Sequence, residues 1–127
     1  MDILLDTHAL IWFLNGDKFL SNEAKKAIED SSNIKIVSIA SIWEIAIKIS
    51  LGKFQFKEGL KSFMKLIDEN GFEILPITFK HALEVSKLEF IHRDPFDRLL
   101  IAQAKSDDLI LITKDETIRK YQVKSIW

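Results

Sequence analysis

Short apolar runs alternate along this chain with longer segments of helical periodicity. Runs of buried-strand type cover residues 3–5, 34–37, 72–75 and 109–112, and residues 123–127 have the pattern of a fifth strand. Pro76 and the Asn70-Gly71 pair bound the third run, as turn residues should. The pattern predicts a sheet of four or five short strands.

The segments between these runs carry helix start and stop signals. Ser21 and Thr78 are predicted N-caps, Pro95 is suited to a first helical position, and Gly52 is suited to the position after a helix end. Predicted helices cover residues 7–14, 22–30, 41–51, 58–69, 79–88, 95–106 and 115–120.

Strands separated by helices require crossover connections, which give a mainly parallel sheet covered on both faces by helices. The sequence therefore predicts an α/β fold. In such folds ligands bind beyond the carboxyl ends of the strands, and the first turns of the connecting helices lie at this same edge. Candidate active-site residues are therefore expected just after the strands and in the first turns of the connecting helices.

Composition fits an ordinary globular protein: of 127 residues, 47% are hydrophobic and 29% are charged. No apolar run approaches the length of a membrane span, and the chain begins directly with a strand-like segment, so we expect neither membrane insertion nor a signal peptide. The absence of cysteine excludes disulfides and thiolate metal sites and is compatible with a cytoplasmic location. The net charge of −1 lacks the basic excess of a sequence-independent nucleic-acid binder.

Four acidic residues are predicted to meet at the carboxyl edge of the sheet. Asp6 ends the first strand, and Asp115 follows the fourth by three residues. Glu44 and Asp97 lie in the first turns of predicted helices that start at this edge. Other acids do not qualify, since Asp2 and the Asp107-Asp108 pair fall at the opposite edge.

Carboxylates in apolar surroundings are costly unless a cation compensates them. With oxygen ligands and no cysteine, the expected cation is a hard divalent ion, Mg²⁺ or Mn²⁺. Lys48, Arg93, Arg98 and Lys114 lie within four residues of the acids and could contact a phosphate or simply be solvated.

Each acid also has a plain structural interpretation. Asp6 could cap the first helix, Glu44 could pair with Lys48 one helical turn later, and Asp115 could be a turn residue. Asp94, directly before Pro95, is best explained as an N-cap, which leaves the metal role to Asp97. Ser41, Glu44 and Lys48 form a polar stripe on an otherwise apolar helix, which favours a cleft facing that stripe.

Other active-site chemistries lack their motifs. His8, His81 and His92 show no zinc-ligand spacing, and the four glycines do not form a Rossmann or P-loop fingerprint. No G-x-S-x-G turn for serine hydrolysis is present.

Four blocks in order along the chain resemble a known family. They are residues 5–12 (LDTHALIW), 41–48 (SIWEIAIK) followed by LGK, 92–104 (HRDPFDRLLIAQA) and 111–115 (LITKD). Together they resemble the PIN-domain ribonucleases of the VapC toxin type.

The resemblance implies that residues 1–127 form a single three-layer α/β/α PIN-like nuclease domain that cleaves RNA with Mg²⁺ or Mn²⁺. The matching catalytic positions are Asp6, Glu44, Asp97 and Asp115, with Asp6 and Asp97 as the principal metal ligands and Glu44 and Asp115 as possible ones. It also implies a toxin held inactive by a cognate antitoxin protein, and a homodimer.

Two alternatives of other classes remain open from sequence. A phosphotransfer receiver domain would need an acidic pair after the first strand and a phosphoacceptor aspartate ending a central strand, whereas this chain has Asp6-Thr7-His8. A catalytically silent PIN-like module that binds RNA or protein is opposed by the four intact acids.

A set of large apolar side chains could belong to the core or to a partner surface. Its members are Trp12, Phe13, Phe54, Phe56, Phe63 and Met64. If part of the set is exposed, it would form a patch suited to a second subunit or to an antitoxin segment.

Overall fold

The computed structural model describes residues 1–56 and 58–127, which form five strands and seven helices. The strands are β1 (Asp2–Leu5), β2 (Ile34–Ser38), β3 (Glu73–Leu75), β4 (Ile110–Ile112) and β5 (Ser125–Ile126). The helices are α1 (Thr7–Asn15), α2 (Asn22–Glu29), α3 (Ile39–Ser50), α4 (Gly59–Glu69), α5 (Phe79–Lys87), α6 (Pro95–Ser106) and α7 (Glu116–Arg119).

The strands form one sheet in the order β3-β2-β1-β4-β5, and every pairing between the described strands is parallel. Leu5 at the end of β1 is level with Val37 of β2 and Ile112 of β4. The three central strands therefore end together, and the segments that follow them open onto one edge.

Strand β1 shows why the sheet is covered on both faces. Ile3 and Leu5 pack into one core cluster with residues of α1 to α4, whereas Leu4 packs into a second cluster with residues of α6 and α7. All three side chains are fully buried. The predicted three-layer α/β/α fold is confirmed, and the continuous apolar run in β1 follows from burial on both faces.

Most helix boundaries follow from the capping residues that the sequence indicated. Ser21 and Thr78 accept backbone N–H bonds at the starts of α2 and α5, and Pro95 opens α6. Helix α1 ends at Gly16, whose φ of 64° is the left-handed conformation that glycine adopts without strain.

Helix α3 differs from its prediction in two ways. It begins at Ile39, because Ser38 caps it through the backbone N–H of Ala40. It is also less enclosed than its apolar sequence suggested, since Trp43 remains 60% exposed. The Trp43 ring makes an edge contact with Phe96 of α6, at 5.5 Å between ring centroids.

The large apolar set divides between core and surface. Phe63 is fully buried, with the rings of Phe54 and Phe56 against it at 6.3 and 5.0 Å, and Trp12 and Phe13 also pack against this core. Met64 alone of the set is counted among the exposed side chains of the described chain, at 46%. The core interpretation is confirmed for most of the set.

Within the part of the chain that the structure describes, no helix combines the length and the apolar character needed to cross a membrane.

Candidate metal and nuclease site

Asp6 lies at the junction of β1 and α1. Its backbone N–H donates to the carbonyl of Ile112 at 3.1 Å, which fixes it to the end of β4. Its Oδ1 accepts the N–H of Ala9 at 2.8 Å, so Asp6 is the N-cap of α1. The side chain is only 4% exposed. The capping interpretation is confirmed, and the burial leaves an ionised carboxylate poorly hydrated.

Glu44 is held in a hydrogen-bonded stripe beside Asp6. The hydroxyl of Thr7 lies 2.7 Å from its Oε1 and 2.9 Å from the hydroxyl of Ser41. Lys48 Nζ lies 3.1 Å from its other oxygen, as the spacing predicted. Because an ionised carboxylate can only accept, Thr7 donates to Glu44. Thr7 follows Asp6 directly, yet its sequence position gave no sign of this contact.

Asp94 caps helix α6, as the position before Pro95 predicted, and Asp97 lies in the first turn. Oδ1 of Asp94 accepts the backbone N–H groups of Phe96 and Asp97 at 2.8 and 3.2 Å. Asp94 is therefore the N-cap of α6, and Asp97 presents its carboxylate from the first turn.

His92 joins Asp97 to Asp115. Its Nε2 lies 3.3 Å from Oδ2 of Asp97 and 2.8 Å from Oδ2 of Asp115. The other oxygen of Asp115 accepts the N–H of Thr117 at 2.8 Å and caps α7. Sequence analysis assigned His92 no role. The available signal was its position two residues before the Asp94 cap, inside the third family block.

The hydrogen bond at Nδ1 of His92 fixes which ring nitrogen carries the proton in the neutral ring. Nδ1 accepts the backbone N–H of Asp94 at 3.1 Å, so in the neutral ring the proton sits on Nε2. Ligand atoms of His92, Asp97 and Asp115 lie within 4.8 Å of one another. A protonated Nε2 cannot coordinate a cation, so His92 serves here as a donor to Asp115, with the carboxylate of Asp97 3.3 Å away.

The acids respond differently to this environment. Burial raises the pKa of Asp97 to about 7, reinforced by the charges of Asp94, Asp6 and Glu44 and partly offset by His92. Burial likewise raises the pKa of Asp6, against hydrogen bonds from Thr113 and Ala9 that lower it. At Asp115 burial is outweighed by hydrogen bonds from His92 and Thr117, and the pKa is lowered. The mutual influence of these charges places all four acids in one electrostatic unit.

The predicted phosphate-binding cations are placed unequally. Lys48 pairs with Glu44, and Arg93 is exposed beside the site. Arg98 is directed elsewhere: its guanidinium donates to the carbonyls of Val85 and Glu89 and stacks on Phe90 at 4.7 Å. The guanidinium of Arg98 is therefore engaged by α5 and the segment that follows it, and no ion pair joins it to an acid of the described chain.

A cleft of about 380 Å³ opens at this edge of the sheet. It is lined by Asp6, His8, Trp12, Asp97, Lys114 and Asp115. Three of the four predicted acids thus share one cavity with a lysine, and Glu44 lies beside them through Thr7.

The oxygens at this edge suit a hard divalent cation. Burial raises the pKa of Asp6 and of Asp97, so their ionised carboxylates are poorly hydrated. Lys48 pairs with Glu44 and His92 lies against Asp97 and Asp115, so neither of them pairs with Asp6. Mg²⁺ and Mn²⁺ prefer such carboxylate ligands. The donor set therefore fits the predicted ion.

The sequence profile of the PIN domain family matches residues 3–124. The protein belongs to the PIN domain family. It is 27% identical over 120 residues to ribonuclease VapC22 of Mycobacterium tuberculosis, an alignment that covers 94% of this chain and 92% of that protein.

Solved structures share the fold. VapBC2 from Rickettsia felis, bound to a DNA fragment from its promoter, superposes with a TM-score of 0.74 and 16% identity, covering 99% of this chain and 98% of that one. VapBC-1 from nontypeable Haemophilus influenzae superposes with a TM-score of 0.72 and 15% identity, covering 99% of this chain and 97% of that one.

Removing the charge of Asp97 should change how stability depends on pH. The folded pKa of about 7 exceeds the ordinary 3.8, so between these values the folded state binds a proton that the unfolded state lacks. Stability should therefore fall as pH rises from about 4 to about 7. Asp97→Asn should flatten this fall and, without added metal, stabilise the protein by roughly 1–3 kcal/mol near pH 8.

Urea unfolding across this pH range checks the expectation. Asp68→Asn, which neutralises an exposed carboxylate on α4, is the matched control and should retain the wild-type slope. If the unfolding free energy of Asp97→Asn changed with pH as steeply as that of the wild type, the raised pKa of Asp97 would be contradicted.

Proposed function

We propose that this protein is a Mg²⁺- or Mn²⁺-dependent endoribonuclease that acts as the toxin of a toxin-antitoxin pair. The observation that carries the proposal is that three carboxylates line one cleft with Glu44 beside them, and that two of the four have raised pKa values. The similarity to a ribonuclease named VapC22 supports RNA as the substrate.

In this proposal Asp6 and Asp97 are the principal ligands of the cation. Both are poorly hydrated carboxylates fixed by secondary structure, Asp6 by the end of β1 and Asp97 by the first turn of α6. Glu44 and Asp115 would help to hold a second cation or would orient the attacking water. When bound, the cation would neutralise charge on the scissile phosphate and promote ionisation of the water.

Neighbouring residues fix the positions of the four acids. His92 keeps the carboxylates of Asp97 and Asp115 together, and Thr7 and Lys48 fix the rotamer of Glu44. Lys114 and Arg93 provide positive charge for the RNA backbone, which a chain of net charge −1 must supply locally. Arg98 has no substrate role in the proposal, because its guanidinium already bonds two backbone carbonyls and stacks on Phe90.

The proposed partners are a cognate antitoxin and a second copy of the chain. Several proteins of similar fold are described as VapBC, and some of them as bound to DNA. An apolar groove of about 350 Å³ between α3, α4 and β3 offers an apolar surface for the antitoxin. Ile39, Met64 and Ile74 are its exposed apolar side chains.

Neutralising either principal ligand should abolish RNA cleavage without unfolding the protein. Asp6→Asn and Asp97→Asn each remove one carboxylate charge while preserving the shape of the side chain. We therefore expect the rate of cleavage of an unstructured RNA to fall at least about 100-fold. A fluorogenic RNA assay with Mg²⁺ or Mn²⁺, and with a chelator, measures this.

Asp2→Asn is the matched control, since this exposed aspartate lies at the opposite end of β1. Wild-type cleavage by Asp6→Asn, or full activity in excess chelator, would contradict the metal assignment. Binding of RNA by the wild-type protein without any cleavage would instead favour the silent PIN-like module.

A charge in the groove should weaken association with the antitoxin. Met64→Glu places a carboxylate on the exposed apolar face and should raise the dissociation constant at least about tenfold, while cleavage by the free protein stays unchanged. Co-purification with the product of an adjacent small gene, followed by sizing, measures the complex. Lys65→Gln, one residue along on α4, makes the same one-unit change in net charge and is the control, and equal loss in both variants would remove the groove from the interface.

A further inference from the structure

Three aromatic rings stand in a row beside the acidic cleft. His8 and Trp12 lie one turn apart on α1, with their ring centroids 5.6 Å apart. The ring of Phe19 continues the row, 5.7 Å from that of Trp12. These distances lie within the range of favourable aromatic contacts. The row begins at His8, two residues after Asp6, and its first two rings line the cleft with the acids.

The outer ring is exposed although its backbone is fixed. Phe19 is 61% exposed. Its N–H donates to Oδ1 of Asp17 at 2.9 Å, and the N–H of Asp17 donates to the carbonyl of Trp12 at 2.8 Å. The next residue, Leu20, is buried in the core. A turn anchored at both sides therefore presents a large apolar ring to solvent.

A lysine lies over the same two rings. Lys114 Nζ is 6.0 Å from the centroid of Trp12 and 5.9 Å from that of Phe19. Among residues 1–56 and 58–127, no carboxylate lies within ion-pair distance of this ammonium group. Its charge is consequently available to an anion that approaches the rings.

The aromatic row and the acidic site share one surface. His8, Trp12 and Lys114 line the cleft that Asp6, Asp97 and Asp115 also line. A chain lying in this cleft with a phosphate at the acids would have its next groups over Trp12 and Lys114. In a nucleic acid those groups are a base, which stacks on aromatic rings, and a phosphate, which pairs with an ammonium group.

We propose that His8, Trp12, Phe19 and Lys114 form a subsite for one unpaired nucleobase and its phosphate, next to the phosphodiester that the acidic site cleaves. This inference rests on the proposed ribonuclease function and specifies its substrate as single-stranded RNA. The subsite requires the base to leave any helical stack, because both faces of a paired base are covered by its neighbours.

Fluorescence of a base analogue tests the stacking directly. The probe is an unstructured RNA dodecamer carrying one aminopurine, an adenine analogue that stacking quenches, bound to the Asp6→Asn protein so that it stays intact. We expect quenching on binding, and binding about 5- to 30-fold weaker, with the quenching lost, when Phe19→Leu is added. Phe19→Trp should restore both, because a larger ring still stacks.

The control for Phe19 is Phe79→Leu, which changes an almost fully exposed phenylalanine on α5. It should leave affinity and quenching unchanged. The same dodecamer annealed to its complement should bind more weakly than the single strand and show no quenching change on adding the protein. The aminopurine is moved along the dodecamer in separate probes. If no probe is quenched on binding, or if adding Phe19→Leu to the Asp6→Asn protein leaves its affinity unchanged, the proposal is overturned.

The salt dependence of binding tests Lys114. Loss of one phosphate contact should reduce the slope of log affinity against log salt by about 0.7 for a single strand, so Lys114→Met should show this reduction and Lys114→Arg should not. An unchanged slope in Lys114→Met overturns the phosphate part of the subsite.

Failure of the proposed function can be told apart from failure of the subsite. If the wild-type protein with Mg²⁺ or Mn²⁺ cleaves no RNA but aminopurine binding behaves as expected, the nuclease proposal fails and the subsite stands. If it cleaves RNA while Phe19→Leu binds and cleaves like wild type, the subsite fails and the nuclease stands. Loss of antitoxin binding alone in Phe19→Leu would assign the rings to a protein partner and also overturn the subsite.

Discussion

The repulsion among carboxylates at one edge of a parallel sheet is the constraint on which the rest of this structure depends. Asp6 and Glu44 are almost completely buried, and Asp97 carries a pKa raised to about 7. Bringing such groups together costs free energy that packing elsewhere must offset. The fold offsets part of this cost locally, with hydrogen bonds from helix N-termini at Asp6 and Asp115 and with Lys48 at Glu44. In the proposed function, a bound cation would remove the remaining cost.

Local chemistry explains which features the sequence alone could predict. A buried run such as residues 3–5 specifies a strand covered on both faces, and capping residues such as Ser21 and Thr78 specify helix starts within their own turns. In a parallel sheet these boundaries also fix which residues reach the carboxyl edge. For this reason Asp6, Asp97 and Asp115 could be placed in one cleft before the coordinates were known.

The features that sequence could not predict depend on contacts between distant segments. His92 reaches Asp97 and Asp115 because its loop is anchored by the hydroxyl of Tyr121, which accepts the backbone N–H of His92 at 2.9 Å. The carbonyl of Glu89 in the same loop accepts a hydrogen bond from Arg98. The ring of Phe96 on α6 contacts that of Trp43 on α3. None of these pairings leaves a periodic or capping signal in the sequence.

The proposed site has two parts, the acids for catalysis and the aromatic row for substrate selection. The acids and His92 are fixed by the sheet edge and two helix starts, whereas the aromatic row depends on the turn after α1. Related proteins could therefore keep the first part and vary the second, because surface turns tolerate change better than strand ends.

The location of a bound cation tests the central claim most directly. Anomalous diffraction from crystals soaked in Mn²⁺ would place the ion without relying on activity. The account predicts a peak in contact with the carboxylates of both Asp6 and Asp97, with Nε2 of His92 outside the coordination sphere. An ion bound through His92, or crystals with no ion between Asp6 and Asp97 at saturating Mn²⁺, would contradict it.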